Sequence, residues 1–355
     1  LPPTSGLWPR LSLLAGAECA ANMLFVDLET TGLAGGAGTY AFLVGCGWFE
    51  SGTFRVRQFF LANFAAERAL LESVGDLAST AGTVVTYNGK SFDLPLLETR
   101  FVLHRMQTPF EALPHVDMLH PARRLWRDQA SAQTSTADSG CRLSSLEQTL
   151  CGHEREGDVP GFEIPARYFQ YVRTGDARPL QGVLEHNRLD LLSLAMVTAR
   201  AAQLLDDGPE GATTAREALG LGHVYERGAL YGLARECYAR AAGIDGNLLG
   251  DVETRASALR AYAVISRRER RYENAADAWQ RILDLRRCPP PIAREAMEAL
   301  AVHHEHRLRD PGAARTFALQ SLCLQSTPTR RDAVNHRLAR LERKLGTAES
   351  APLFS

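Results

Sequence analysis

Four acids and one imidazole stand out by type and spacing. In FVDLETTG, Asp27 and Glu29 lie two residues apart at the end of an apolar run. Positions i and i+2 of a strand leave the same face, and the C-terminal ends of strands are where α/β sheets hold ligands. Two adjacent carboxylates repel unless a cation lies between them, and hard Mg²⁺ or Mn²⁺ suits their oxygens. Asp93, in TYNGKSFDLPLLETRF, is a third acid at a helix start beside a neighbouring strand end. In LEHNRLDLLSL, His186 and Asp190 are four residues apart, so a helix presents them on one face. Four clustered acids suit two-cation phosphoryl transfer, in which the ions stabilise the attacking and leaving oxygens of an in-line displacement. A group titrating near neutrality then serves to take a proton from the attacking water, a role that fits His186. Each residue also has a plainer reading: a solvated strand end for Asp27 and Glu29, an N-cap for Asp93, surface decoration for the helical pair.

Other candidates surround this set. Asp117 in HVDML ends a strand and is expected behind the ligands or on the substrate side, with solvation of a strand end as the alternative. Asn88 and Lys90 could meet phosphate or simply make a turn. Glu147 reads as the acid of a capping box opened by Ser144. GLAGGAG lacks the G-K-[ST] of a phosphate loop and opens no helix. His303, His304 and His306 do not converge on one helix face, and they read as solvated. Two arginine groups, Arg123, Arg124 and Arg127, and Arg267, Arg268, Arg270 and Arg271, could track a phosphate backbone but read first as solvated helix surface.

The elements that must position these groups fall into two grammars. Residues 22–29, 40–50 and 53–61 read as three strands of an antiparallel meander. A helix (65–79), a strand (82–89), a helix (91–106) entered through Asp93, and a short strand (115–119) follow, describing a mixed α/β sheet. The polar stretch 127–140 and residues 158–165 read as loops, 142–150 and 179–205 as helices. Beyond 206–211 the strand signal vanishes. Leu221, Gly222, Tyr225, Ala234, Tyr238 and Ala241 sit at tetratricopeptide offsets. Tyr262, Ala263, Tyr272, Ala275, Trp279 and Ile282 make a second unit, and Leu300, Ala301, His304, Ala314 and Ala318 a degenerate third. A plain helical bundle is the alternative.

FVDLETTG, YNGKSFDLPLL and HNRLD resemble the three motifs of the DEDD (DnaQ-like) exonuclease superfamily, on the ribonuclease H-like fold. The closer similarity is to the YprB-type family of bacterial ribonuclease H-like proteins, which share GLAGGAGTYAFLVG and a segment like CRLSSLEQTLCGHEREGDVPGFEIPARYFQYVRTGD. It covers residues 22–200 well and the tail more loosely. The resemblance implies a 3′→5′ exonuclease in which Asp27, Glu29, Asp93 and Asp190 are metal ligands for two ions and His186 stands in the general-base position. One departure is visible. The two main branches of the superfamily carry Tyr-x3-Asp or His-x4-Asp, whereas this chain has His186-x3-Asp190. On a helix a three-residue spacer leaves the pair about 40° apart and a four-residue spacer about 140°, so this imidazole approaches from the side of the tyrosine.

Composition sets the outer bounds. The chain has 355 residues, 45% hydrophobic and 23% charged, which is ordinary globular composition and enough for two domains. Net charge is −1, so no global basic field announces nucleic acid. Residues 1–205 hold 17 Lys/Arg against 21 Asp/Glu, and residues 206–355 hold 23 against 20. No run has the length of a membrane span, and no leader pattern is seen. Seven scattered cysteines without a C-x-x-C read as thiols of a reducing, cytoplasmic compartment. The expected architecture is therefore an α/β ribonuclease H-like domain (1–205), a linker (206–211), an all-α tetratricopeptide-like domain (212–345) and a tail (346–355). The expected activity is metal-dependent hydrolysis of single-stranded DNA or RNA, with a protein partner at the helical repeats and no membrane. Two rivals remain: a catalytically silent nucleic-acid-binding or scaffold protein, and a ribonuclease H-like endonuclease.

Overall fold

A computed structural model describes residues 8–32, 36, 38–131, 141–244, 246, 248, 250–324 and 328–349. Most of the glycine-rich stretch after β1, most of the expected loop 127–140 and the last residues of the tail lie outside it. The chain divides into two compact units, Leu1–Gly211 and Ala212–Ser355.

The first unit is built on a five-stranded sheet in the order β3-β2-β1-β4-β5. β1 (Met23–Thr30), β2 (Ala41–Glu50) and β3 (Thr53–Phe60) form the antiparallel meander, and β4 (Thr83–Thr86) and β5 (His115–Asp117) join parallel to β1. A one-turn helix α1 (Ser12–Ala15) precedes the sheet. Alternation along β1 divides its residues between two faces. Leu24, Val26 and Leu28 join one apolar core with Leu70, Leu71 and Val74 of α2 (Glu67–Ala78) and Leu97 and Phe101 of α3 (Asp93–Leu103). The odd positions leave the opposite face, which α7 (Leu180–Asp207) crosses. Between them run α4 (Leu119–Ser131), α5 (Leu143–Cys151) and α6 (Ile164–Thr174).

Four local readings are corrected. α4 continues through Ser131 into the stretch read as loop, because Ala122, Leu125 and Trp126 bury a helical face. Asp93 is the first residue of α3, not its cap, which is Phe92. The capping box fails too: α5 starts at Leu143 behind Arg142 without a side-chain cap, and Glu147 is buried, turned to Arg155 and Ser193. The stretch 206–211 also carries regular structure, since α7 runs to Asp207 and Gly208–Gly211 make a 3-10 turn.

The second unit is all helical. α8 (Ala215–Arg227) pairs with α9 (Tyr231–Ala242), α10 (Val252–Arg268) with α11 (Tyr272–Asp284), and α12 (Pro290–His303) with α13 (Pro311–Cys323), before α14 (Pro328–Glu349). Thr214, Asp251 and Asp310 cap α8, α10 and α13 by accepting backbone N–H groups. A Cβ on Gly222 would sit 2.5 Å from the Tyr238 ring, so glycine lets α8 and α9 approach. The connections are alike: Ala229, Arg270 and Arg309 each adopt left-handed φ of 58°, 61° and 54° between paired helices. They recur at the steps of Ala234, Ala275 and Ala314, all buried. His304 to Leu308 form a π-helical turn whose buried Glu305 meets Arg340 at 2.7 Å and Lys344 at 2.8 Å from α14.

Candidate active site

Asp27 and Glu29 leave the α7 face of β1 near its C-terminal end, as their two-residue spacing requires. Asp27 stands opposite Gly45 of β2. A Cβ there would lie 2.3 Å from Asn187 Oδ1, so glycine is the residue that lets α7 seat this close. Fully buried Asn187 donates from Nδ2 to Asp27 Oδ2 at 2.7 Å and to the Asp27 carbonyl at 3.2 Å. Its Oδ1 accepts from Gln58 Nε2 at 2.8 Å, which fixes the amide orientation.

One residue before Asn187 on α7, His186 turns Nδ1 to Asp158 Oδ1 at 2.6 Å. Burial works to raise the Asp158 carboxyl, but the hydrogen bond and charge of His186, with Arg155, outweigh it and hold Asp158 below its ordinary range. A charged carboxylate only accepts, so Nδ1 carries the proton. Nε2 faces the acids, 3.5 Å from Asp190 Oδ2 and 4.0 Å from Glu29 Oε1.

Arg155 ties these groups together from a loop. Its side chain is 5% exposed and reaches Glu147 at 2.7 Å, Asp158 at 3.1 Å, Asp190 at 2.7 Å and Ser193 Oγ at 3.1 Å. Burial opposes its charge, but Asp190 and Glu147 more than restore it, and the guanidinium is held firmly protonated.

Asp93 is delivered by the turn between β4 and α3. Asn88 sits there at a left-handed φ of 67°. Buried Asp117 accepts from the backbone N–H of Asn88 at 2.8 Å, Lys90 at 3.0 Å and Leu119 at 3.1 Å. Asp117 therefore braces the turn that carries Asp93, and Asn88 contributes its backbone conformation.

Burial raises all four acids, and the charges of others in the set add to the push on Asp27, Glu29 and Asp93. Burial pushes Asp27 well above the usual carboxylate range, and the charges of Asp190, Glu29 and Asp93 add to the push. Glu29 is raised to about 9, by burial first and then by Asp190, Asp93 and Asp158. Asp93 is raised to about 7, chiefly by burial, with Asp117 and Asp190 adding and a backbone hydrogen bond opposing. Asp190 is raised by burial against the pull of His186 and Arg155. Among the described residues, no three His, Cys, Asp or Glu side chains are gathered tightly enough to hold a metal ion as they stand. Asp27 meets Asn187 and Asp190 meets Arg155 instead. The donor set nonetheless fits a divalent cation, being all carboxylate oxygen, with charges that burial and mutual repulsion penalise.

Asp158, Arg155 and Asn187 were missed by sequence reasoning. The available signal was the segment containing EREGDVPG, acidic and basic residues placed before the last motif, and the asparagine inside HNRLD.

A family pattern accords with the architecture of the first unit. The pattern of the RNase_H superfamily matches residues 24–202. The uncharacterized protein YprB of Bacillus subtilis (strain 168) is 30% identical over 329 residues, covering 91% of this chain and 75% of YprB. Among solved structures, the family B DNA polymerase of the hyperthermophilic archaeon Pyrobaculum calidifontis is similar at 14% identity and a TM-score of 0.40, over 66% of this chain and 30% of the polymerase. No described helix is long and apolar enough to cross a membrane. With half its length matching the superfamily pattern and this kinship to YprB, the chain belongs to the RNase_H superfamily.

Proposed function

We propose that this chain is a metal-dependent phosphodiesterase of the DEDD type, a 3′→5′ exonuclease acting on single-stranded DNA or RNA. The observation that carries the reading is the enclosure of four mutually repelling carboxylates beside an oriented imidazole. Asp27, Glu29, Asp93 and Asp190 would hold two Mg²⁺ or Mn²⁺ ions. Bound there, the ions would supply positive charge to the phosphodiester oxygens and activate water.

The protein's own groups do the rest. Asp158 keeps the proton of His186 on Nδ1, leaving the Nε2 lone pair toward Glu29 and Asp190 to accept a proton from water. Asn187 holds Asp27 in place, and Arg155 fixes the orientation of Asp190. The polarity and the DEDD assignment come from the motif resemblance. The two-domain division, a nuclease domain over 1–205 and a tetratricopeptide-like one over 212–345, rests on the loss of strand signal beyond 206–211 and on the helical offsets that follow.

The test is an assay on end-labelled single-stranded DNA and RNA, with Mn²⁺ against EDTA, for wild type and Asp27→Ala. Cleavage is expected only in wild type with Mn²⁺, and activity surviving EDTA or the substitution would sink the metal mechanism. Labelling both ends separates stepwise trimming from internal cuts. One observation favours the rival of a silent binding protein: Asp190 already has a cation partner in Arg155. Calorimetry decides this point, since the silent reading expects no heat of Mn²⁺ binding.

A further inference from the structure

The helical unit carries a depression of about 510 Å³ lined from α10 to α14. Val264, Val302 and Val334 give it apolar lining, and Arg260, Arg267, Arg294 and Arg337 line it as well. Two glutamates share the wall, and each has an arginine beside it: Arg260 lies 2.6 Å from Glu295 and Arg294 3.9 Å from Glu298. Neither Arg267 nor Arg337 has such an acid among the described residues. Arg337 Nη1 is shielded from solvent and meets no hydrogen-bond acceptor. A buried guanidinium N–H without an acceptor calls for an anion or a water.

A second depression, about 220 Å³, shares Arg267, Trp279, Ala299 and Val302 with the first, so the two adjoin along these residues. In it the Arg307 guanidinium lies 3.6 Å from the centroid of the Tyr272 ring. Arg307 is exposed, which leaves the outer side of this stacked cation open.

These features have one common ligand chemistry. Uncancelled guanidiniums bind phosphate through paired N–H groups. Nucleobases stack on guanidinium planes and fill apolar floors. We infer that this groove is a second binding site for single-stranded nucleic acid, distinct from the carboxylates of the first unit. An acidic polypeptide would match the arginines but leave the Arg307–Tyr272 plane unused. The choice of polyanion rests on the nuclease reading, whereas binding in the groove needs no cleavage.

The experiment uses the full chain in EDTA, with fluorescence anisotropy of a fluorescein-labelled oligothymidylate across a salt series. Arg267→Gln/Arg337→Gln is expected to weaken binding about tenfold and to flatten the log–log salt slope by about 0.7 for each phosphate no longer neutralised. Tyr272→Leu is expected to weaken binding at an unchanged slope, because it removes stacking and no charge. Thermal unfolding checks each fold; exposed Arg267→Gln carries the test alone if the double variant does not fold. Absence of wild-type binding, or wild-type affinity and slope in Arg267→Gln, overturns the inference. So does polyglutamate that displaces the oligonucleotide at equal charge concentration and loses affinity in the same variants, which assigns the groove to acidic polypeptides. Intact groove binding in a chain that cleaves nothing would overturn the nuclease reading and leave this one standing.

Discussion

The two units of this molecule carry opposite charge in opposite circumstances. In the first, Asp27, Glu29, Asp93 and Asp190 are half-buried, and the first three are pushed up by the charge of others in the set. In the second, Arg267 and Arg307 line a groove while exposed. The difference teaches how each can respond. A carboxylate that is buried beside others can shed its charge by taking a proton, so the acid site is governed by pH and by cations. A guanidinium cannot lose its proton, so the arginines of the groove answer to salt and to anions and not to pH.

The largest effect that would sharpen this contrast is at Asp27. Asp27→Ala is expected to reduce cleavage by roughly 10⁴-fold, while oligothymidylate affinity in EDTA stays at the wild-type value. A parallel loss of affinity would merge the two sites and break the comparison.

Next in size is Asp158, which holds His186 Nδ1 at 2.6 Å and also meets Arg155 at 3.1 Å. Asp158→Asn is expected to lower kcat by about 100-fold with little change in KM. Nitrogen NMR of His186 should then show the proton no longer confined to Nδ1. Partial recovery in Asp158→Glu would mark a positioning role, whereas an unchanged tautomer with lost activity would refute it.

The smallest effect concerns stability. Glu29 has its carboxyl raised from 4.5 to about 9. A raised acid stabilises the fold while protonated, and that contribution disappears as pH climbs through the folded value. In EDTA the wild type should therefore lose Tm relative to Glu29→Gln between pH 4.5 and about 9. Mn²⁺ should reverse this at high pH in the wild type more than in the variant, because cation binding favours the deprotonated acids. A pH-independent difference between the two proteins would mean that Glu29 stays charged when the protein folds.

Much of the first unit was legible because its cues are periodic and local. The short apolar run before Asp27 and Glu29 announces a strand, and the period of residues 179–205 announces the helix that carries His186 and Asp190. The supporting groups were not legible for the opposite reason. Arg155 and Asp158 sit where no period exists, and Asp158 meets His186 across 28 positions of sequence. Glu147 shows the hazard of a local pattern: its spacing from Ser144 suits a capping box, yet burial against Arg155 and Ser193 decides its direction. Asp117 reads as a strand-end acid, and only the fold reveals that its oxygens are consumed by the turn at Asn88 and Lys90. In the second unit, alanines and tyrosines mark the helical hairpins. Arg294 and Glu298 are four apart on α12, but the pairing of Arg260 with Glu295 across α10 and α12 is a property of facing helices that one sequence does not spell out.

One helix has a kinematic consequence. α7 is 28 residues long, about 42 Å at 1.5 Å per residue, and it presents His186, Asn187 and Asp190 within little more than a turn. At its far end Arg10 grips the Leu205 carbonyl at 2.8 Å and Asp206 at 3.2 Å. The three groups therefore share one set of rigid-body coordinates instead of three. A tilt of α7 would misalign them together, and a seated α7 aligns them together. The entropy of arranging imidazole, amide and carboxylate is lost once, when this rod docks during folding, and not again at each encounter with substrate.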